Sequence, residues 1–268
     1  MDLLSPEILT LLLATALAAG FIDAIAGGGG LLVLPGLLFT GMSPSQALAT
    51  NKLQGTFGTL SATLTFIRSK NLRLSGLWPT IIMTALGAGL GAWLAQSLQA
   101  ESLRQVIPVL LIAIALYYSF SPRIGHSASD EKISARAFSF SAAPGIGFYD
   151  GFFGPGAGAF YSTAYVVLRG FHLLAATAHT KVLNFTSNFA SLVVFIAGGE
   201  VLWKIGLLMG VAQLIGANLG SRLVILKGAG LVRPMLIIMS LLITINLVVK
   251  DDSHFLHRWL VWFFADGV

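Results

Sequence analysis

Two lysines stand inside apolar stretches of this chain. Lys52 ends an Ala-Thr-Asn-Lys segment, and Lys181 ends an Ala-His-Thr-Lys segment. A cationic side chain at the bilayer centre costs about 3 kcal/mol on insertion scales, so each lysine needs a partner. Asp23 and Asp150, which each end a Gly-Phe-x-Asp segment, could supply ion pairs that lock the bundle. Alternatively, the two cationic groups balance an anionic substrate, and both interpretations can hold together.

Polar side chains continue from each lysine along one face of a predicted helix. Residues three, four and seven positions apart share a face. One stripe therefore contains Thr177, Lys181, Asn184, Asn188 and Ser191, and the matching stripe contains Lys52, Thr56, Thr59 and Thr63. Two facing stripes would form a hydrophilic cavity. The residues that we predict to contact a substrate there are Lys52, Lys181, Asn51, Thr50, Thr180, Asn184 and Asn188.

Glycine-rich turns follow both aspartates, at 27–30 and 154–158. Glycine permits close backbone approach. A helix that begins inside the membrane also presents free N–H groups and partial positive charge to an anion. We therefore predict substrate contacts at Gly28, Gly29 and Gly156, with close packing of small residues as an equally compatible alternative. Packing alone is expected for Gly87, Gly91, Gly216 and Gly220.

Three titratable side chains lie where they could couple proton movement to transport or form ion pairs: Asp23, Asp150 and His179. An unperturbed histidine titrates near neutral pH, although a histidine that only packs is at least as compatible with the sequence. The chain has no cysteine, which excludes disulfides and thiolate chemistry. The remaining histidines lack the spacing of metal ligands. We predict no metal, no cofactor and no enzymatic activity.

The composition around these residues is that of a membrane protein. Hydrophobic residues make up 56% of the chain, charged residues make up 10%, and the mean hydropathy is +0.84. Long apolar stretches that could cross a bilayer are 8–26, 44–67, 75–99, 174–198, 203–225 and 232–249. Shorter ones are 31–42, 105–121, 137–150 and 157–170. We predict an all-α integral membrane protein with about eight to ten transmembrane or half-membrane helices.

The chain contains the same unit twice. Lys52 and Lys181 are 129 residues apart, the separation that also relates Gly87 to Gly216. The predicted domains are a first repeat at 5–121, a linker at 122–136, a second repeat at 137–250 and an interfacial tail at 251–268. Each glycine-rich stretch predicts a broken or re-entrant helix. Paired halves with such helices and buried charges indicate a transporter whose site lies between the halves.

The positive charges predict an orientation. Lysine and arginine concentrate in three connections, at 68–73, 123–136 and 222–233, which should be cytoplasmic. Matching connections of the two repeats show opposite bias, so the repeats should be inverted and both termini should lie outside. The net charge of +5 forms no continuous stripe, which argues against a nucleic-acid partner. Membrane lipid is an expected partner, and glycine-rich surfaces also permit a homodimer.

The signatures around the aspartates and the first lysine resemble the TauE/SafE family. The segments that carry the similarity are 20–30, 47–52 and 147–155, and the match spans nearly the whole chain. The resemblance is closest to small bacterial inner-membrane members. It implies secondary transport, with relatives that move sulfite, sulfoacetate or other sulfur-containing organic anions. The second signature has His179 before Thr180 and Lys181, where the first has Thr50 and Asn51, so the site should be asymmetric.

Residues and resemblance together predict a secondary transporter of the bacterial inner membrane. Its expected substrate is a small sulfur-containing anion, moved by alternating access and driven by the proton gradient. A passive anion channel lined by the same polar stripes is the alternative. An enzyme would need a nucleophile or metal constellation that the sequence does not offer.

Overall fold

The computed structural model describes residues 5–70, 72, 74–120 and 130–227. This part of the chain is helical and contains no β-strand, which confirms the all-α prediction. Its helices are α1 (Pro6–Ala26), α2 (Gly30–Phe39), α3 (Pro44–Arg68), α4 (Trp78–Ser97), α5 (Ala100–Phe120), α6 (Ala135–Phe140), α7 (Ala142–Phe152), α8 (Ala157–Arg169), α9 (Leu173–Ala197) and α10 (Trp203–Lys227). The predicted helix at 232–249, the tail at 251–268 and residues 122–129 of the linker lie outside the described residues.

The central helices α3 and α9 have the same length of 25 residues and begin 129 positions apart. Ser43 starts α3 with a capping box, in which Gln46 N donates to Ser43 Oγ at 3.2 Å and Ser43 N donates to Gln46 Oε1 at 3.4 Å. At the start of α9, His172 Nδ1 accepts from Ala175 N at 3.4 Å. Such caps satisfy N–H groups that have no partner within the helix. They explain why both helices begin where the sequence predicts.

The helices that follow the glycine-rich turns are too short to cross a bilayer. Helix α2 has 10 residues and α8 has 13, whereas about 20 are needed to cross the hydrocarbon core. Long apolar helices that could cross it are α1, α4, α9 and α10. The short segments predicted at 31–42 and 157–170 are therefore half-membrane helices.

Helices α6, α7 and α8 of the second repeat form a hairpin. The end of α8 therefore lies beside the start of α6, at the same end of the bundle. At the end of α8, Arg169 Nη1 donates to the Ile133 carbonyl oxygen at 2.6 Å, just before α6 begins. The backbone of Lys132 donates to that of Leu168 at 3.0 Å. In the first repeat α2 returns along α1, where a Cβ at Gly36 would lie 3.6 Å from Thr15. Both segments thus form hairpins, an arrangement compatible with the broken or re-entrant helices that the sequence predicts.

The predicted segment 137–150 is interrupted at Ser141, where α6 ends and α7 begins. Pro144 explains the break, because it has no N–H to donate to the Phe140 carbonyl and its ring clashes with that group in a continuous helix. The first repeat has Leu17 at the equivalent position, and α1 is continuous there. The two hairpins are therefore built differently although their sequences match.

The first hairpin of each repeat packs against the helix that follows the central helix of the other repeat, α1 against α10 and α7 against α4. A methyl group on any of four glycines of α4 and α10 would overlap a facing backbone carbonyl oxygen. The pairs are Gly87 with Pro144, Gly91 with Phe148, Gly216 with Leu17, and Gly220 with Phe21. The packing role predicted for these four glycines is confirmed, and equivalent contacts occur in both halves.

The central helices α3 and α9 run antiparallel. Helix α10 runs alongside α3, because Leu202 N donates to Thr50 Oγ1 at 3.3 Å near one end and Asn218 Nδ2 donates to Thr65 Oγ1 at 3.5 Å near the other. Since α9 leads through a short turn to the start of α10, it runs opposite to α3. Helix α4 in turn runs alongside α9, with Gln96 Nε2 donating to the Val194 carbonyl oxygen at 3.1 Å. An inverted pair of repeats requires this arrangement.

The described parts of the positively charged connections meet at one end of the bundle. The end of α3 lies beside the end of α10, and the start of α4 lies beside α6, where the hydroxyls of Thr80 and Ser139 are 2.7 Å apart. Arg68, Arg136 and Arg222 all belong to this end. The arrangement is consistent with the sequence prediction that these connections share one side of the membrane.

Candidate functional site

Lys52 of α3 forms a fully buried ion pair with Asp150 of α7. Its Nζ lies 2.7 Å from Asp150 Oδ1 and also donates to the carbonyl oxygen of Asp150. The second carboxylate oxygen, Oδ2, accepts a hydrogen bond from Ser187 Oγ of α9. The lysine and aspartate side chains are 1% and 4% exposed. Both oxygens of this carboxylate therefore have a partner, as a buried charge requires.

Lys181 of α9 forms the equivalent pair with Asp23 of α1, but this pair is looser. The Nζ to Oδ2 distance is 3.7 Å, and Nζ also donates to the carbonyl oxygen of Asp23. Asp23 Oδ1 accepts from the backbone N of Gly29 at 3.3 Å. The lysine is 1% exposed, whereas the Asp23 side chain is 14% exposed. The carboxylate of this pair is thus the more accessible one.

The two ion pairs are crossed between the repeats. Each lysine reaches the last turn of the re-entrant hairpin's first arm in the opposite repeat, since α1 ends at Ala26 and α7 ends at Phe152. Carbonyl groups at a helix C-terminus carry partial negative charge. Each lysine is therefore balanced by a carboxylate and by a helix end. The pairing of lysines with aspartates was one of the two alternatives that the sequence offered.

The ion pairs lie at different depths along the central helices. Gly55 of α3 faces Asn188 of α9, because a Cβ at Gly55 would lie 3.1 Å from Asn188 Oδ1. Counting from this contact along antiparallel helices places Lys52 and Lys181 about 15 Å apart along the bundle axis, at 1.5 Å per residue. The backbone positions of the two lysines therefore lie on opposite sides of this contact, whereas the Asp150 carboxylate reaches Ser187, one residue from Asn188.

A polar cavity of about 30 Å³ lies between the repeats. Its lining consists of Asp23, Gly27, Gly30, Asn51, Lys52, Gly55, Thr59, Asp150, Gly154, Ala157, Gly158, Asn184, Asn188 and Gln213. Both aspartates and the starts of the two short helices thus reach the same space. A cavity of this volume has room for a very few water molecules.

Gln213 is a lining residue that the sequence analysis did not identify. It lies in the middle of α10, and its Oε1 is buried without a hydrogen-bond partner in the described part of the chain. Asn184 Oδ1, which also belongs to a lining residue, is likewise buried without a hydrogen-bond partner in the described part of the chain. Buried amide groups are nearly always satisfied by protein or water, so these two groups mark where water or a ligand would bind. A glutamine at the centre of an apolar helix could have been predicted from the sequence to face a polar site.

The cavity brings together some of the residues predicted from the sequence. Lys52, Asn51, Asn184, Asn188, Asp23 and Asp150 all belong to its lining. Lys181 lies behind Asp23 and contributes through that pair. Thr59 of the first polar stripe reaches the cavity, whereas Ser191 of the second lies 3.5 Å from the Ala88 carbonyl oxygen of α4. The stripes thus face the cavity only in part.

Other predicted residues support the site from outside its described lining. Thr50 Oγ1 accepts from the loop before α10, and Gly29 donates to Asp23. Gly28 accepts from Leu31 N at 3.0 Å in the turn before α2. Gly156 immediately precedes α8. Thr180 is buried.

His179 faces a different environment from the lysine two positions away. Its Nδ1 lies 2.7 Å from the Ala175 carbonyl oxygen, and its ring centroid is 5.4 Å from that of Tyr165 and 4.9 Å from that of Phe171. Two positions along an α-helix correspond to about 200° of rotation, so the side chains of His179 and Lys181 point in different directions. The structure places this histidine in an aromatic cluster.

The glycine-rich turns meet each other at the cavity. Gly27 has a φ of +79° and packs against Gly158, where a Cβ on either glycine would overlap the backbone of the other. Gly154, with a φ of +101°, lies beside Lys52 Nζ and Asp150. Close backbone packing, one of the two alternatives for these turns, is therefore observed, and it brings the hairpins of both repeats together.

Comparisons with known proteins agree with this architecture. The family model described as Sulfite exporter TauE/SafE matches residues 12–247. This chain belongs to the TauE/SafE family. The TauE/SafE chain is 48% identical over 258 residues to "Probable membrane transporter protein YfcA" of Escherichia coli (strain K12), with 96% of each chain covered. No solved structure matches it significantly.

More distant members of the family also align along most of their length. "Probable membrane transporter protein" of Haemophilus influenzae is 46% identical over 242 residues, which cover 90% of this chain and 95% of the relative. "Probable membrane transporter protein YunE" of Bacillus subtilis is 26% identical over 236 residues, with 79% and 86% covered. The chain is thus a multi-pass member of a membrane transporter family.

Proposed function

We propose that this TauE/SafE protein is a secondary transporter of a small anion of the sulfite and sulfonate class, coupled to protons and working by alternating access. The observation that carries the proposal is the pair of crossed Lys–Asp contacts on opposite sides of a polar cavity. The family description, Sulfite exporter TauE/SafE, supports the substrate class.

The charges of the site explain why an anion would need a proton. Each Lys–Asp pair is neutral, so an anion entering the cavity would be an uncompensated buried charge, which is costly. A proton bound to one aspartate leaves its lysine unbalanced, and the anion then balances that lysine. The starts of α2 and α8, which reach the cavity at Gly30 and Ala157, add partial positive charge. One proton therefore accompanies each negative charge of the substrate.

Asp23 is the aspartate that we assign to the proton. It lies farther from its lysine than Asp150 does, 3.7 Å against 2.7 Å, and it is more exposed. Both oxygens of Asp150 are engaged, by Lys52 and by Ser187. Protonation of Asp23 thus disturbs longer contacts, since its oxygens have Lys181 Nζ at 3.7 Å and Gly29 N at 3.3 Å. His179 has no role in this mechanism, since its contacts lie in the aromatic cluster.

The two ion pairs serve as gates in this proposal. The backbones of Lys52 and Lys181 are about 15 Å apart along the bundle axis, so opening one pair gives access from one side while the other remains closed. The cavity of about 30 Å³ has room only for molecules the size of water in this conformation. Substrate binding therefore requires a rearrangement of the repeats, and a ligand favours the state that it binds more tightly. A passive channel would instead need both gates open at once.

Transport by purified protein in proteoliposomes tests the proposal. Radiolabelled sulfite and sulfonates are supplied with an imposed pH gradient, with Lys52→Ala and Lys181→Ala as variants and size-exclusion chromatography as the folding control. We expect gradient-driven accumulation by the wild type and none by folded variants. Unchanged flux in both variants would overturn the role of the lysines, and a pH-independent conductance in planar bilayers would establish a channel. Failure of every sulfur anion to move would overturn the substrate class.

A further inference from the structure

A second pocket, separate from the central cavity, opens where α3 and α10 end. Its volume is about 380 Å³, and its lining includes Arg68 from the last turn of α3 and Arg222 from the last two turns of α10. Thr65 and Asn218 also line the pocket, each about one turn before the arginine of its own helix, and Asn218 Nδ2 donates to Thr65 Oγ1 at 3.5 Å. Because α3 belongs to the first repeat and α10 to the second, this pocket also lies between the repeats.

The pocket has positive charge that its described lining does not balance. No aspartate or glutamate is among the lining residues. Within the described part of the chain, Arg68 and Arg222 form no ion pair, in contrast to Arg169, which pairs with Glu131. Guanidinium groups bind phosphate oxygens with two parallel hydrogen bonds, and two arginines from different helices can hold one phosphate between them.

One wall of the pocket is apolar and faces outward. Ile225 and Leu226 belong to the lining, and Leu226 is 82% exposed. Helices of 25 residues, such as α3 and α10, extend about 37 Å, which exceeds the hydrocarbon core of about 30 Å. Their last turns therefore reach the level of lipid headgroups. A basic pocket with an apolar outer wall fits a lipid that has its phosphate inside and its acyl chains along the helix.

We propose that Arg68 and Arg222 bind the phosphate of an anionic phospholipid, which joins α3 of the first repeat to α10 of the second. The site does not depend on the identity of the transported substrate. Since α3 carries Lys52 and α10 carries Gln213, the lipid would connect helices that also line the cavity.

Native mass spectrometry of the purified full chain tests this site, with phosphatidylglycerol and phosphatidylcholine added to the same micelles. We expect the wild type to retain phosphatidylglycerol in preference to phosphatidylcholine. Arg68→Gln and Arg222→Gln should each lower that retention by about fivefold, the effect of one basic residue near a membrane surface. Arg136→Gln, which removes an exposed arginine at the same end of the bundle, is the matched control and should behave as wild type.

Two further measurements keep the test decisive. Arg222→Lys retains the charge but not the bidentate geometry, so it should fall between the wild type and Arg222→Gln even if the glutamine variant folds poorly. Inorganic phosphate at millimolar concentration should not displace the lipid. Equal retention of both lipids, an equal loss in Arg136→Gln, or displacement by inorganic phosphate would overturn the assignment to a phospholipid.

Discussion

The two Lys–Asp pairs come from the same repeated signature, yet they differ in geometry. Lys52 and Asp150 are 2.7 Å apart, and Ser187 satisfies the remaining carboxylate oxygen. Lys181 and Asp23 are 3.7 Å apart, and the second carboxylate oxygen has only the backbone N of Gly29, at 3.3 Å. The sequence explains part of the contrast, because the position in α3 equivalent to Ser187 is Gly58, which has no hydroxyl.

The difference in geometry indicates different roles for the two Lys–Asp pairs, although the repeated sequence alone would suggest the same role for both. The Lys52 pair is buried and fully bonded, which favours a structural role and a closed gate. The Lys181 pair faces the cavity through a carboxylate that is 14% exposed, which favours proton exchange and opening. The packing around the pairs is by contrast symmetric, since equivalent glycines meet equivalent carbonyl groups in both halves. These glycine contacts are thus symmetric, whereas the charged centre is not.

Removal of the lysines should produce the largest difference between the pairs. Lys52→Met leaves Asp150 buried without its cation and should lower the free energy of unfolding by about 3–5 kcal/mol. The loss of unfolding free energy in Lys181→Met should be smaller than in Lys52→Met by about 1 kcal/mol or more, because Asp23 can be hydrated from the cavity. Thermal and SDS-titrated unfolding in micelles measures both. Equal losses would contradict the distinction, and recovery of stability in Lys52→Met/Asp150→Leu would support it.

Glycine substitutions should show that the scaffold itself is symmetric. Gly91→Ala and Gly220→Ala each place a methyl group against a carbonyl oxygen, of Phe148 and Phe21 respectively. Each should destabilise the fold by about 1–3 kcal/mol, the usual cost of overpacking. Gly89→Ala, on the same helix as Gly91 but facing open space, is the control and should be neutral in unfolding experiments. A large loss in only one repeat would refute symmetric packing.

Substitution of Gln213 should have the smallest effect of these changes, and it should alter transport but not stability. Gln213→Leu removes an amide that lines the cavity, and loss of a hydrogen bond to a charged ligand should lower uptake by about tenfold. The equivalent residue of the first repeat is Thr84, which lies outside the described lining. Thr84→Val should therefore leave initial uptake rates unchanged. Equal loss in both variants would contradict an asymmetric cavity.

Much of the architecture could be predicted from the sequence, because a bilayer restricts the length and the composition of the segments that can cross it. Apolar length predicted α3 and α9 to within one residue, and small residues at fixed spacing predicted where α4 and α10 pack. The crossed pairing of Lys52 and Lys181 was not predictable, because the signature does not say which repeat supplies the partner. The break at Ser141 was missed although Pro144 signals it.

The candidate site was harder to predict than the fold, because neighbours in sequence need not face the same space. His179 adjoins the lysine signature but lies on another side of α9, as helical periodicity would have indicated. Gln213 comes from a helix that carries no signature and reaches the cavity only through tertiary packing. Distances of 2.7 and 3.7 Å between equivalent charges depend on the same packing.

Proton uptake measured during sulfite flux tests the central claim most directly, with Asp23→Asn and Asp150→Asn compared in proteoliposomes containing a pH-sensitive dye. We predict that Asp23→Asn still lets sulfite equilibrate, because Lys181 stays charged, but takes up no protons and does not concentrate sulfite against its gradient. Asp150→Asn should keep the wild-type ratio of protons to sulfite at whatever flux remains. An unchanged ratio in Asp23→Asn, or a lost ratio only in Asp150→Asn, would contradict the assignment of Asp23 as the coupling residue.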